Sequence, residues 1–200
     1  MRILPQSRSA TAAGMPFHAC GFTIVELMIT IAVAAILLVI AVPSFNNIIN
    51  SNRLTTAANT MVNALNTARI EAIKLNATTQ FCSNASSKNT DGTGSTGDSA
   101  LSTACDSSGG AVVELTGNTA NSLLAAPQGL TQPVQLSGNI IAVRFSGQGF
   151  GYNATDTSKT PLTSPIAVLC VAGLSGNNVI VISMVTGTVV TTTASAGICR

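Results

Sequence analysis

Two hundred residues with 8% charged side chains and a mean hydropathy of +0.46 suit one modest globular domain plus a segment that lives in lipid. The formal charge of +2 rests on Arg2 and Arg8; downstream, Arg53, Arg69, Lys74, Lys88, Arg144, Lys159 and Arg200 stand against Glu71, Asp91, Asp98, Asp106, Glu114 and Asp156 with no cluster. That near balance offers little bulk electrostatic pull towards nucleic acid or anionic lipid.

Residues 1–21 are short, weakly basic and rich in Ser, Ala and Gly, with no apolar period that could build a core. They read as a targeting leader. Residues 22–42 follow as an almost unbroken apolar run whose one charge is Glu26. At about 1.5 Å rise per residue such a run crosses a hydrocarbon core of roughly 30 Å, and the basic residues before it keep the N-terminus cytoplasmic. A secretory signal peptide would explain a basic start and an apolar run, but this run is too long for an ordinary signal core and lacks an A-x-A site at its far end. A carboxylate inside it costs a few kcal/mol unless paired, which points to a function for Glu26; the competing reading places it solvated at the membrane interface.

Beyond the run, Phe45, Ile48, Ile49, Ala58, Met61, Val62, Leu65, Ala68 and Ile73 recur mostly three or four residues apart. This predicts an amphipathic continuation of the helix over 44–76, kinked at Pro43, where one backbone hydrogen bond is lost. After residue 76 the pattern changes to short β-type runs, at 78–82, 111–115, 139–145, 165–171, 178–184 and 188–193. The last two flank Val185-Thr186-Gly187, a hairpin turn. Residues 83–110 are polar and Gly-rich, read as a surface loop without internal period. The organisation expected is therefore a leader at 1–21, a transmembrane or filament-core helix at 22–43, an amphipathic extension at 44–76, and a β-rich exported domain at 77–200.

Cys20 falls in the leader, which leaves Cys82, Cys105, Cys170 and Cys199. An even set in an exported domain reads as two disulfides, with zinc as the alternative; no CxxC occurs, and His18, the one histidine, is also in the leader. Four cysteines permit three pairings. The local one, Cys82 with Cys105, would close the polar loop, and Cys170 with Cys199 would tie the tail to a central strand through the final hairpin.

Catalysis finds little support. Past the leader there is no histidine, the carboxylates are scattered, and no serine or threonine has an evident base beside it, so neither an enzyme nor a cofactor is expected. Asp91, Asp98 and Asp106 match no EF-hand spacing and read as solvated loop residues rather than a calcium site. Arg144, Lys159 and Arg200 are the candidate DNA contacts, thin support because a phosphate site uses several cations and a stacking platform needs aromatics. Tyr152 is the sole tyrosine and there is no tryptophan.

Gly21-Phe22-Thr23-Ile24-Val25-Glu26-Leu27 resembles the type IV prepilin motif, in which a membrane peptidase cuts after the glycine and methylates the new N-terminal residue. Pro43 stands where that family tends to carry a helix-kinking proline. The segment 68–74 followed by Thr79-Gln80-Phe81-Cys82, and later Arg144-Phe145-Ser146-Gly147-Gln148-Gly149, resembles the GspH/FimT group of minor pilins and pseudopilins. The tail departs from that group, since Ala196-Gly197-Ile198-Cys199-Arg200 lacks the basic stretch that FimT-type tails often carry.

The resemblance implies an α+β, type IV pilin-like fold with a long N-terminal helix on an antiparallel β domain. Cleavage and N-methylation fall at Gly21 and Phe22, and Glu26 sets subunit register by pairing with the α-amino group of a neighbour. The implied partners are other pilins or pseudopilins, the prepilin peptidase, an inner-membrane assembly platform, and DNA if the chain serves transformation. The implied location is the bacterial inner membrane, then a filament. A minor pilin that helps start a type IV pilus is the leading expectation, a GspH-type pseudopilin of a type II secretion system the alternative.

Overall fold

The structure, a computed structural model, describes residues 21–127, 130 and 132–199, and at Pro43 the backbone alone. Helix α1 spans Ile24–Leu75, and the chain divides into two compact units at Val42/Pro43. In the first unit, residues 22–40 are exposed at every position. A helix apolar on all sides has no inward face to choose, which is the pattern of a segment solvated by lipid or by other helices.

In the second unit, α1 buries Leu54, Ala57, Ala58, Met61, Ala64, Leu65, Ala68 and Ala72, spaced at three and four residues along one face. Four of the nine apolar positions expected from sequence are not on this face. Phe45, Ile48, Ile49 and Ile73 are exposed, and alanines fill the stripe instead, because small side chains let the helix axis lie close to the sheets.

Nine strands follow: β1 (Thr79–Phe81), β2 (Val112–Thr116), β3 (Thr119–Leu124), β4 (Val134–Leu136), β5 (Val143–Phe145), β6 (Gly151–Asn153), β7 (Ser164–Val171), β8 (Val179–Val185) and β9 (Val189–Ser195). They form two antiparallel sheets, one ordered β3-β2-β1-β5-β6 and the other β4-β7-β8-β9. Phe81 sits opposite both Val112 and Val143, and these residues share the large core with the α1 stripe, Phe145, Leu169 and Ile182. Thr79 Oγ1 donates to the Ala68 carbonyl at 2.7 Å, joining β1 to the helix inside this core. Arg69 reaches from α1 to two turns, donating to the Gly149 carbonyl at 3.0 Å and the Thr188 carbonyl at 2.7 Å.

Side chains alternate across a sheet, so Gln80, Cys82 and Val113 point away from the α1 core. They meet a second helix, α2 (Thr96–Cys105), whose Leu101 and Cys105 complete a smaller apolar cluster with Cys82, Ala111 and Val113. This corrects the expectation of a structureless loop at 83–110. Ser95 caps α2 by accepting the Asp98 N–H at 3.3 Å, and a single 3-10 turn lies at Ser86–Lys88. Disulfides join Cys82 to Cys105 and Cys170 to Cys199, across 23 and 29 positions.

The expected strand at 139–145 is shorter, running only over Val143–Phe145, although Ile140 and Ala142 are buried before it. The final hairpin turns through Thr186, Gly187 and Thr188. Thr186 and Gly187 have φ of 53° and 67° there. The Gly187 carbonyl accepts the Gly151 N–H, and its own N–H donates to the Leu162 carbonyl, so this turn ties the second sheet to β6 of the first.

Candidate functional site

Two groups of polar residues stand out, one at the start of α1 and one behind the first sheet. At the start, Thr23 is the N-cap: its carbonyl accepts the Leu27 N–H at 3.1 Å and its Oγ1 accepts the Glu26 N–H at 3.2 Å. Gly21 and Phe22 therefore precede the helix, and both are exposed. A Cβ added at Gly21 would meet nothing within 4 Å, and its backbone needs no left-handed conformation. Among the described residues, nothing calls for glycine at this position.

Glu26 lies in the first helical turn, where the exposed N–H dipoles favour a negative charge. Ile24, Val25, Leu27, Met28 and Ile29 around it are all more than half exposed. The helix is long and apolar enough to cross a membrane. This places an uncovered carboxylate at one end of an uncovered apolar rod.

The second group lies behind the first sheet. Arg144, on β5, is buried with four of its five guanidinium N–H donors engaged: Nε donates to Gln80 Oε1 at 2.7 Å, Nη1 to Asp91 Oδ2 at 3.3 Å, and Nη2 to the Asn89 carbonyl at 3.1 Å and to Asp98 Oδ1. Asp98 also accepts from Thr90 Oγ1 at 2.5 Å and from the Asp91 N–H at 3.0 Å. Burial pushes its carboxyl up, but the bonds from Thr90, Arg144 and Asp91 outweigh burial and hold it below the ordinary carboxylate value. Gln80 Nε2 donates to Asn89 and lies 3.3 Å from Cys105 Sγ, so the ion pair, the asparagine and the disulfide hold the 89–106 segment against β1.

This arrangement corrects two expectations. Arg144 is not free to meet a phosphate, because four side chains or carbonyls of its own domain already take its donors and desolvate it. Asp91 and Asp98 are not solvated loop carboxylates, because they are the counter-charges of that arginine. Tyr152 is also buried and presents no stacking face. Lys159 is exposed in the turn after β6, and Arg200 lies outside the described residues. Of the three candidate cations, Arg144 is thus committed within its own domain and Lys159 is exposed by itself in a turn.

The segment that leads into α1, together with the first part of that helix, has a known counterpart. A family model for the prokaryotic N-terminal methylation motif matches residues 17–42, and a model for the type II transport protein GspH matches residues 57–186. The chain belongs to the GspH family. No curated protein and no solved structure matches it. For this GspH-family protein, the family places the chain among type IV pilin-like and pseudopilin proteins, which are structural rather than enzymatic. The two matches divide as the fold does, the first on the apolar rod and its glycine, the second on the outer part of α1 and most of the β domain.

Proposed function

We propose that this protein is a minor pilin: a prepilin peptidase cuts between Gly21 and Phe22 and methylates Phe22, and the mature chain enters a type IV pilus at or near its tip, where it helps start assembly. The observation that carries this reading is the uncovered apolar rod with its single carboxylate. Packing between helices from several subunits would cover residues 22–42 once they leave lipid, leaving the β domains outside.

In that packing Glu26 needs an opposite charge, and cleavage creates one, the α-amino group of Phe22 on an adjacent subunit. The glycine at position 21, which the fold does not require, is then the mark the peptidase reads. Until assembly the rod holds the chain in the inner membrane, N-terminus cytoplasmic and β domain periplasmic. N-terminal mass spectrometry of the membrane-extracted protein is the test: a mature chain starting at methylated Phe22 is expected, and one starting at Met1 or beyond Pro43 would sink the assignment.

A second reading is favoured by the family match itself, whose description is of a type II transport protein. In it the same chain is a pseudopilin that assembles in a secretion system. Deleting the gene separates the two, since loss of surface pili supports the first and retention of secreted enzymes in the periplasm supports the second. DNA uptake has no support from Arg144, whose donors are taken within the domain.

A further inference from the structure

We infer that β9 is an open docking edge onto which an adjoining filament subunit adds an uncharged extended strand, an inference that rests on the filament reading above. The two sheets present four edge strands, β3, β6, β4 and β9. Edges are ordinarily protected by shortness, proline, bulges or charge, because their unpaired N–H and C=O groups template a further strand. Three of these four are protected. Strand β6 has three residues and is bridged at Tyr152 by Pro161. Strand β4 also has three residues and is entered from Pro133. Strand β3 is bulged: its register with β2 jumps from Val112↔Leu124 to Val113↔Ser122, leaving Leu123 over.

Strand β9 has none of these devices. It runs seven residues, Val-Val-Thr-Thr-Thr-Ala-Ser, in unbroken register with β8 from Val179↔Ser195 to Val185↔Val189. Six of the seven residues are exposed. No Asp, Glu, Lys or Arg occurs anywhere in residues 160–199, so the strands behind the edge bring no charge to it either.

Both ends of the strand are also held. At the turn, the Thr188 carbonyl is taken by Arg69 of α1. At the far end, the Asn178 side chain binds Gly197 through both its oxygen and its nitrogen, each at 2.8 Å, and Cys199 is bonded to Cys170. An edge already ordered at both ends loses little further freedom when a strand is added, which favours binding.

The chemistry of the edge selects its occupant. A row of alternating donors and acceptors with strand spacing is matched by an extended backbone. A charge on the paired stretch would find no counter-charge among the Val, Thr, Ala and Ser side chains of β9, so the added strand is uncharged. A second copy pairing β9 to β9 would form a closed two-fold dimer, which does not propagate along a filament. The occupant is therefore a strand of a different subunit.

The test places a photo-crosslinking amino acid at Thr193 on β9, and as control at Thr103 on α2, in the full chain in cells that make filaments. An adduct from Thr193, and not from Thr103, to an uncharged strand of another pilin subunit is expected. In parallel, the doubly substituted chain Thr191→Lys, Thr193→Lys is expected to fall about tenfold in sheared filaments while its amount in membranes is unchanged, as lost cross-strand pairing predicts. No Thr193 adduct, equal adducts from both positions, or an adduct to the same chain alone would overturn the inference. So would wild-type incorporation of the Lys variant, and if that variant fails to fold, the cross-link decides. With the unsubstituted chain present in filaments, a silent Thr193 probe rejects the docking edge alone; absence of that chain from filaments rejects the filament reading and the edge with it.

Discussion

Replacing Asp98 by Asn tests the buried group behind the first sheet with almost no change of shape. The Asp98 side chain is 3% exposed and that of Arg144 is 6%, so the substitution leaves an arginine buried against a neutral partner, with Asp91 at 3.3 Å as its remaining counter-charge. Breaking a buried pair costs about 3–5 kcal/mol, and because asparagine keeps one oxygen for the guanidinium the lower end, about 3 kcal/mol, is expected. For a domain of this size that is a fall in Tm of about 6–12 °C. Thermal unfolding of the detergent-solubilised full chain, followed by circular dichroism, measures it.

The pH dependence carries the sign. Since the folded carboxyl of Asp98 lies below its ordinary value of 3.8, its contribution is complete above that pH and is lost as pH falls through the folded value. The Tm gap between wild type and Asp98→Asn should therefore close in acid. A gap under about 2 °C at neutral pH, within the range of indifferent surface substitutions, would refute the argument that this pair holds the segment in place.

Glu26→Gln should leave the protein inserted and cleaved but poorly incorporated, read as the ratio of protein in sheared filaments to protein in membranes; an unchanged ratio would show that the carboxylate does not set register. Cys170→Ser with Cys199→Ser should cost about 2–4 kcal/mol, read by denaturant unfolding, because it frees a 29-position loop that includes β8 and β9. Gly187→Ala should destabilise by about 2 kcal/mol or more, since φ there is +67° and the new Cβ would lie 2.6 Å from the Gly151 carbonyl, a backbone atom with no room to yield. The same unfolding assay checks it, and a neutral result would show that the turn can move.

Long periodic or β-branched stretches were legible from sequence. Helix α1 and strands β7, β8 and β9 lie within a residue or two of the segments their patterns predict, because each is long enough to show its period. The elements missed are short or polar. Strand β6 is three residues including a glycine, and β3, Thr-Ala-Asn-Ser-Leu-Leu, has no clear alternation because five of its six residues are exposed and neither face demands apolar side chains. Helix α2 is hidden in a Ser- and Gly-rich stretch, yet Ser95 followed by Asp98 three positions later is a capping signal that could have found it. The Arg144 cluster had no local signal, since Gln80, Asn89, Asp98 and Arg144 belong to four separate segments that only the β1–β5 pairing and the Cys82–Cys105 bond bring together.

The two disulfides also limit how far the chain can lengthen when it is pulled. Each bond short-circuits the backbone it encloses, so a force applied from α1 towards the C-terminus passes through sulfur rather than through the 23 or 29 positions between the cysteines. At roughly 3.5 Å per extended residue, about 80 Å of slack is withheld at the first bond and about 100 Å at the second. The final β hairpin lies wholly inside the second enclosure, so it could be dislodged as a unit under tension but not drawn out into thread.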